Sequence, residues 1–160
     1  MDRIARLVDR WVRSIVAQTP VVIYAGVFLP KMTKQRLLRA VPPDHSTVWA
    51  HHMTTWHFRD GGDVPELPWG VTVPLKIVGV FSNTQAQAVV VDAPRKLKPP
   101  TRTPHVTVST APGVSPAASN ALVPAPGSVT PVAGLPALQG VVGWVDAREV
   151  VHFDEPPTDE

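Results

Sequence analysis

Residues 105–109 read His105-Val106-Thr107-Val108-Ser109. The β-branched valines and threonine suit a strand. In a strand, side chains alternate between faces, so His105 and Thr107 share one face while Val106 and Val108 share the other. A second stretch, His52-Met53-Thr54-Thr55, repeats the spacing inside a strand expected over Thr47 to Thr55. If the two strands lie side by side, two imidazoles and two hydroxyls converge on one concave surface. That set suits chemistry at a phosphodiester. One neutral imidazole can take a proton from an attacking water or hydroxyl, and a protonated one can give a proton to the leaving oxygen. The threonine hydroxyls can hold the non-bridging oxygens. A third match, His45-Ser46-Thr47, follows Pro42, Pro43 and Asp44 and belongs to a turn, where i and i+2 need not share a face.

Moving outward, Ile4, Leu7, Val8, Trp11, Val12, Ile15 and Val16 recur at three- and four-residue steps, the period of an amphipathic helix. The opposite face carries four arginines and is read as a solvated face. Pro20 ends this helix, and Val21 to Phe28 is an apolar run that suits a buried strand. A second helix is expected over Lys34 to Ala40, capped by Thr33 and stopped by Pro42 and Pro43. Asp60-Gly61-Gly62 marks a turn, and Val71 to Phe81 pairs with Ala86 to Val91 through Ser82-Asn83-Thr84. Arg95 to Arg102 is a basic, proline-bearing loop. The stretch from Ala111 to Pro136 is mostly loop with a short helix around Ser115 to Leu122. Val141 to Val145 and Val150 to Phe153 can close the sheet, and the tail over 154–160 is expected to fray.

At 160 residues the chain is one domain, 1–160, with residues 1–18 as its N-terminal amphipathic helix. The 19 prolines crowd the second half, and a formal net charge of +2 excludes a generic nucleic-acid coat. Without cysteine there is no disulfide, no thiolate zinc site and no cysteine nucleophile, so histidine and carboxylate chemistry is what remains. The apolar residues at the N-terminus are interrupted by charge, and no apolar run is long enough to span a bilayer. A cytoplasmic monomer without membrane contact is therefore expected. Adjacent histidines on a strand face opposite ways and no carboxylate completes a set around His51, His52 and His57, so no metal or other cofactor is expected.

The flanks of the two motifs extend to Trp49-Ala50-His51-His52-Met53-Thr54-Thr55-Trp56-His57 and Thr103-Pro104-His105-Val106-Thr107-Val108-Ser109-Thr110-Ala111-Pro112-Gly113-Val114, followed by Ser119-Asn120-Ala121-Leu122. In these residues the chain, from about Val21 to Val142, resembles the cyclic phosphodiesterase domain of plant and fungal tRNA ligases, a branch of the two-histidine phosphoesterase superfamily. The resemblance implies an α+β, bilobal fold with antiparallel sheets lining a central cleft and helices outside. It also implies hydrolysis of a ribose 2',3'-cyclic phosphate to a 2'-phosphate. Carried onto this chain, it makes His52 and His105 the catalytic pair and Thr54 and Thr107 the phosphate ligands. The expected partner is RNA with a 2',3'-cyclic phosphate end or a small cyclic nucleotide. A phosphodiesterase of cyclic or 2'-5'-linked oligonucleotide signals and a non-catalytic RNA-end-binding module are the alternatives.

Around that core, Lys98 and Arg102 in the basic loop could meet substrate phosphates. Trp49 and Trp56, with Trp69 nearby, could stack a base. His57 would lie on the opposite face from Thr54 if the strand stayed regular, which makes it peripheral. Asn120 is expected to brace the loop after the second motif.

Overall fold

The structure is a computed structural model that describes residues 3–17, 20–123, 129–132, 134–135 and 137–158. Its elements in chain order are α1 (Arg3–Ala17), β1 (Val22–Phe28), α2 (Lys31–Ala40), β2 (Thr47–Val48), β3 (His52–His57), β4 (Thr72–Ser82), β5 (Ala86–Asp92), β6 (His105–Thr110), α3 (Ser119–Leu122), β7 (Thr130–Pro131), β8 (Leu138–Asp146) and β9 (Val151–His152). Short helical turns cover Phe58–Asp60, Arg95–Leu97 and Pro116–Ala118. The fold is α+β, with antiparallel strands forming the body and few helices.

The strands run in the order β7-β4-β5-β6-β3-β1-β8-β9, and β4 also pairs β8. A ring of β4, β5, β6, β3, β1 and β8 is thereby closed. Closure is possible because β4 is shared between two neighbours: Thr72 to Leu75 pair with β8, and Lys76 to Ser82 pair with β5. One half-sheet holds β3, β1, β8 and β9, and the other holds β7, β4, β5, β6 and β2. They join along β4–β8 and along β3–β6, where Met53 is paired with Val106. Both of these side chains are completely buried, a contribution of about 1.5–3 kcal/mol each. Slipping either strand by one residue would put Met53 or Val106 in solvent and a histidine in the core, so burial fixes this register.

Several expectations need correction. The strand expected over Thr47 to Thr55 is two strands. Ala50, fully buried, takes a left-handed φ of 52°, and the chain steps there from pairing Val48 with Ser109 to pairing Met53 with Val106. Trp49 N and Ala50 N still donate to Val108 O and Thr107 O, both at 2.8 Å, so the chain stays bonded to β6 up to the break. Helix α2 starts at Lys31 behind Pro30 with no side-chain cap, and the Thr33 hydroxyl instead donates to Gln139 O at 2.9 Å, tying the helix to β8. The expected helix near Ser115 to Leu122 is a helical turn followed by α3; residues 124–128, 133 and 136 of the expected loop lie outside the described residues. The chain is still anchored at Asp154, whose carbonyl accepts the Trp144 indole N–H at 2.8 Å; residues 159–160 of the expected tail lie outside the described residues.

Helix α1 departs furthest from expectation. Most of its described apolar side chains are exposed, Ile4 at 69%, Val8 at 53%, Trp11 at 41% and Val12 at 52%, while Leu7 is half-buried. Arg3, Arg6 and Arg10, which share the other face, line a cleft against the body. Among the described residues no helix is long and apolar enough to cross a membrane.

Candidate functional site

Counting outward from the Met53–Val106 pair, the antiparallel register sets His52 across from Thr107 and Thr54 across from His105. All four lie on the face opposite the buried Met53 and Val106. His52, Thr54 and Thr107 are half-buried and His105 is 8% exposed. The two His-x-Thr motifs are thus brought together as near mirror partners.

His52 packs against two rings of β1, with centroids 4.9 Å from Tyr24 and 5.3 Å from Phe28. Its Nε2 lies 3.1 Å from the Thr54 hydroxyl. Burial in this aromatic slot, together with the nearby His51 and His105, pushes the His52 imidazole down to about 4. It is therefore neutral at pH 7, with a lone pair available.

His105 has different neighbours. Nδ1 lies 2.8 Å from Thr103 O, an atom that can only accept, so Nδ1 carries a proton. Nε2 faces the Ser119 hydroxyl at 3.2 Å. Ser119, fully buried, donates its proton to Pro116 O at 2.7 Å and lies 2.6 Å from the Thr107 hydroxyl. With its proton directed at Pro116, Ser119 offers His105 Nε2 an acceptor. Both nitrogens of the ring then have acceptors for protons, the arrangement an imidazolium satisfies. Burial lowers the His105 pKa, the hydrogen bond to Thr103 raises it, and Arg102 lowers it further; the balance is downward.

The phase of β3 overturns the reading of His57 as lying opposite Thr54. A bulge at Thr55, between the pairs Ala25–Trp56 and Gly26–Thr54, puts Thr55 and Trp56 on the core side together. His57 consequently returns to the face of His52 and Thr54. The Tyr24 ring connects them, 4.9 Å from His52 and 6.2 Å from His57. The bulge requires the glycine across from it, since a Cβ at Gly26 would collide with the Met53 carbonyl. His57 also starts the turn over Phe58–Asp60: its Nδ1 accepts from Arg59 N at 3.2 Å, and its N–H donates to Asp60 Oδ2 at 2.8 Å.

The remaining sequence-derived residues stand apart from this cluster. Arg102 makes a two-pronged pair with Asp60, at 3.0 and 2.9 Å, and clamps the loop before β6 to the turn after β3. Lys98 pairs with Asp92 at 2.7 Å on the surface. Trp56 is 8% exposed and donates to Gly61 O at 3.2 Å, a core position. Trp49 is half-buried, donates to the Thr110 hydroxyl at 3.0 Å and meets the exposed His51 edge-on. Trp69 packs at the core margin. Tyr24, Phe28 and Ser119 are the site neighbours that sequence reasoning left without a role. Tyr24 and Phe28 sit four residues apart in one strand, a spacing that puts both on one face, and Ser119 opens the Ser-Asn-Ala-Leu element.

No protein-family model matches the sequence, and no curated protein matches it. Among solved structures, the chain is similar to a fungal RNA kinase crystal structure, with a TM-score of 0.47 and 14% identity. The alignment covers 90% of this chain and 47% of the other, so this chain spans about half the length of that protein. A likeness of this size carries no activity from one chain to the other.

Proposed function

We propose that the protein hydrolyses 2',3'-cyclic phosphate ends of RNA to 2'-phosphates, without a metal, using His52 as general base and His105 as general acid. The observation that supports this reading is the register that sets His52 against Thr107 and Thr54 against His105 on one face. In the proposed step, neutral His52 takes a proton from water while the water oxygen bonds to phosphorus. The P–O3' bond breaks on the opposite side, and His105 gives its Nε2 proton to that oxygen. Thr54 and Thr107 donate to the non-bridging oxygens as their charge grows, Thr107 turning to the phosphate the proton that it gives Ser119 in the free protein. Each proton transfer contributes about 10²–10⁴ in rate, and a hydroxyl fixed on the developing charge about 10²–10³.

The protein is to be incubated with an oligoribonucleotide bearing a 2',3'-cyclic phosphate, with and without EDTA, beside a 3'-5' cyclic dinucleotide and a 2'-5'-linked oligoadenylate. The expected product is the 2'-phosphate, formed equally in EDTA. Exclusive turnover of the cyclic dinucleotide or the 2'-5' linkage would reassign the substrate. Binding of the RNA end without any product would make the chain a binding module.

A further inference from the structure

The cleft between α1 and the turn after β3 has a volume of about 500 Å³, and its lining includes Arg3, Arg6, Arg10 and Arg59 over Trp56 and Phe58. Asp9 and Asp63 also line it, leaving four guanidiniums against two carboxylates, an excess of positive charge. Ile4 and Leu7 of α1 also line the cleft, but Val8, Trp11 and Val12 are left exposed while the arginine face points in, although burying each large apolar side chain would contribute about 1.5–3 kcal/mol. Arg3 reaches across towards the carbonyls of Arg59 and Asp60, at 3.5 and 3.4 Å, so the helix sits directly over the turn. Such a concentration of guanidiniums suits a polyanion.

The cleft shares no lining residue with the His-x-Thr cluster, yet a run of rings joins them. His52 stacks on Tyr24 at 4.9 Å, Tyr24 on His57 at 6.2 Å, and His57 meets Phe58 at 4.6 Å. The Arg59 guanidinium lies 5.6 Å over the Phe58 ring at the cleft wall. These rings pack on one another and Trp56 is buried, so what the groove offers a strand is its guanidiniums, which follow phosphates whatever the base sequence.

We propose that this arginine-lined cleft holds the phosphodiester backbone upstream of the cyclic end, making the substrate an RNA strand several nucleotides long instead of a mononucleotide. The inference rests on the proposed phosphodiesterase reading for the position of the end, and on the cleft alone for binding of the strand.

Two measurements keep those apart. Fluorescence anisotropy of a single-stranded RNA decamer ending in a 3'-hydroxyl, over a range of salt, reads the cleft. Turnover of a cyclic-ended decamer beside a nucleoside 2',3'-cyclic phosphate reads the coupling to the His-x-Thr site. Arg6→Ala and Arg59→Ala are each expected to weaken decamer binding about five- to tenfold and to flatten the slope of log Kd against log salt by about 0.7. Arg6→Glu should weaken it further, while turnover of the mononucleotide by Arg6→Ala stays within about twofold of the native rate. Unchanged decamer binding in both alanine variants would overturn the proposal. So would equal kcat/KM of the native protein for decamer and mononucleotide, or arginine-dependent binding to phosphatidylserine vesicles with none to RNA. If the native protein turns over neither cyclic phosphate, the phosphodiesterase reading fails by itself and the anisotropy series still decides the cleft.

Discussion

Met53 and Val106 are paired across β3 and β6 and are both completely buried, and everything on the opposite face of those strands takes its place from that contact. Because side chains alternate, fixing this one pair in the core commits His52, Thr54, His105 and Thr107 to the other side together. The order of polar groups there is not symmetric in its environment. One imidazole packs against aromatic rings and the other lies among oxygen acceptors, and this difference divides the proposed roles.

In the proposed reaction Ser119, 3.2 Å from Nε2, positions His105. Ser119→Ala removes the acceptor facing Nε2 and the neighbour of the Thr107 hydroxyl. The expected result is a fall in kcat of about ten- to a hundredfold with KM little changed, since a hydrogen bond to a charged group contributes about 1.5–3 kcal/mol. The alkaline limb of the pH–rate profile should also move to lower pH, because the imidazolium loses a partner. A purely structural role would lower thermal stability and leave that limb where it was.

The pH dependence follows from the two imidazoles. The base works when deprotonated, so kcat/KM of the free enzyme should rise as pH climbs through about 4, the value for His52. The acid works when protonated, so the rate should fall as pH climbs through the His105 pKa, which burial holds below the ordinary histidine value. The expected profile is a bell centred on the acid side of neutrality, measured as kcat/KM on a cyclic-ended oligonucleotide. A rate that keeps increasing to pH 8 would contradict the assignment of His105 as acid.

Gly26→Ala tests the bulge that brings His57 onto the site face. The added methyl meets the Met53 carbonyl and the Thr54 Cα. Forcing β1 and β3 apart should destabilise the fold by about 1–3 kcal/mol in denaturant titration. It should also lower turnover, because Thr54 adjoins the bulge and His52 lies on the same strand. A variant with native stability would show that the strands can separate there without strain.

The shared face of each motif was legible in the sequence because it depends on local periodicity: His52 with Thr54 and His105 with Thr107 need only alternation, and the α+β class needs only the count and spacing of strands. What was illegible depends on contacts between distant segments. His57 changes face because Gly26, some thirty residues earlier, lets the chain bulge at Thr55. Ala50 breaks the expected long strand because the chain must step along β6 at that point. Arg102 is taken by Asp60, and Thr33 serves β8 instead of its own helix. The closure of the ring through β4 and β8 leaves no mark on either strand alone. Helix α1 had the clearest period in the chain, yet periodicity says which residues share a face and not which face the body receives.

The most direct measurement is single-turnover hydrolysis of a 2',3'-cyclic-phosphate-ended oligoribonucleotide by the native protein and by His52→Ala and His105→Ala, with circular dichroism confirming that each variant is folded. Each substitution is expected to lower the rate at least about a hundredfold, in EDTA as in buffer. A folded variant of either histidine that keeps the native rate would contradict the account.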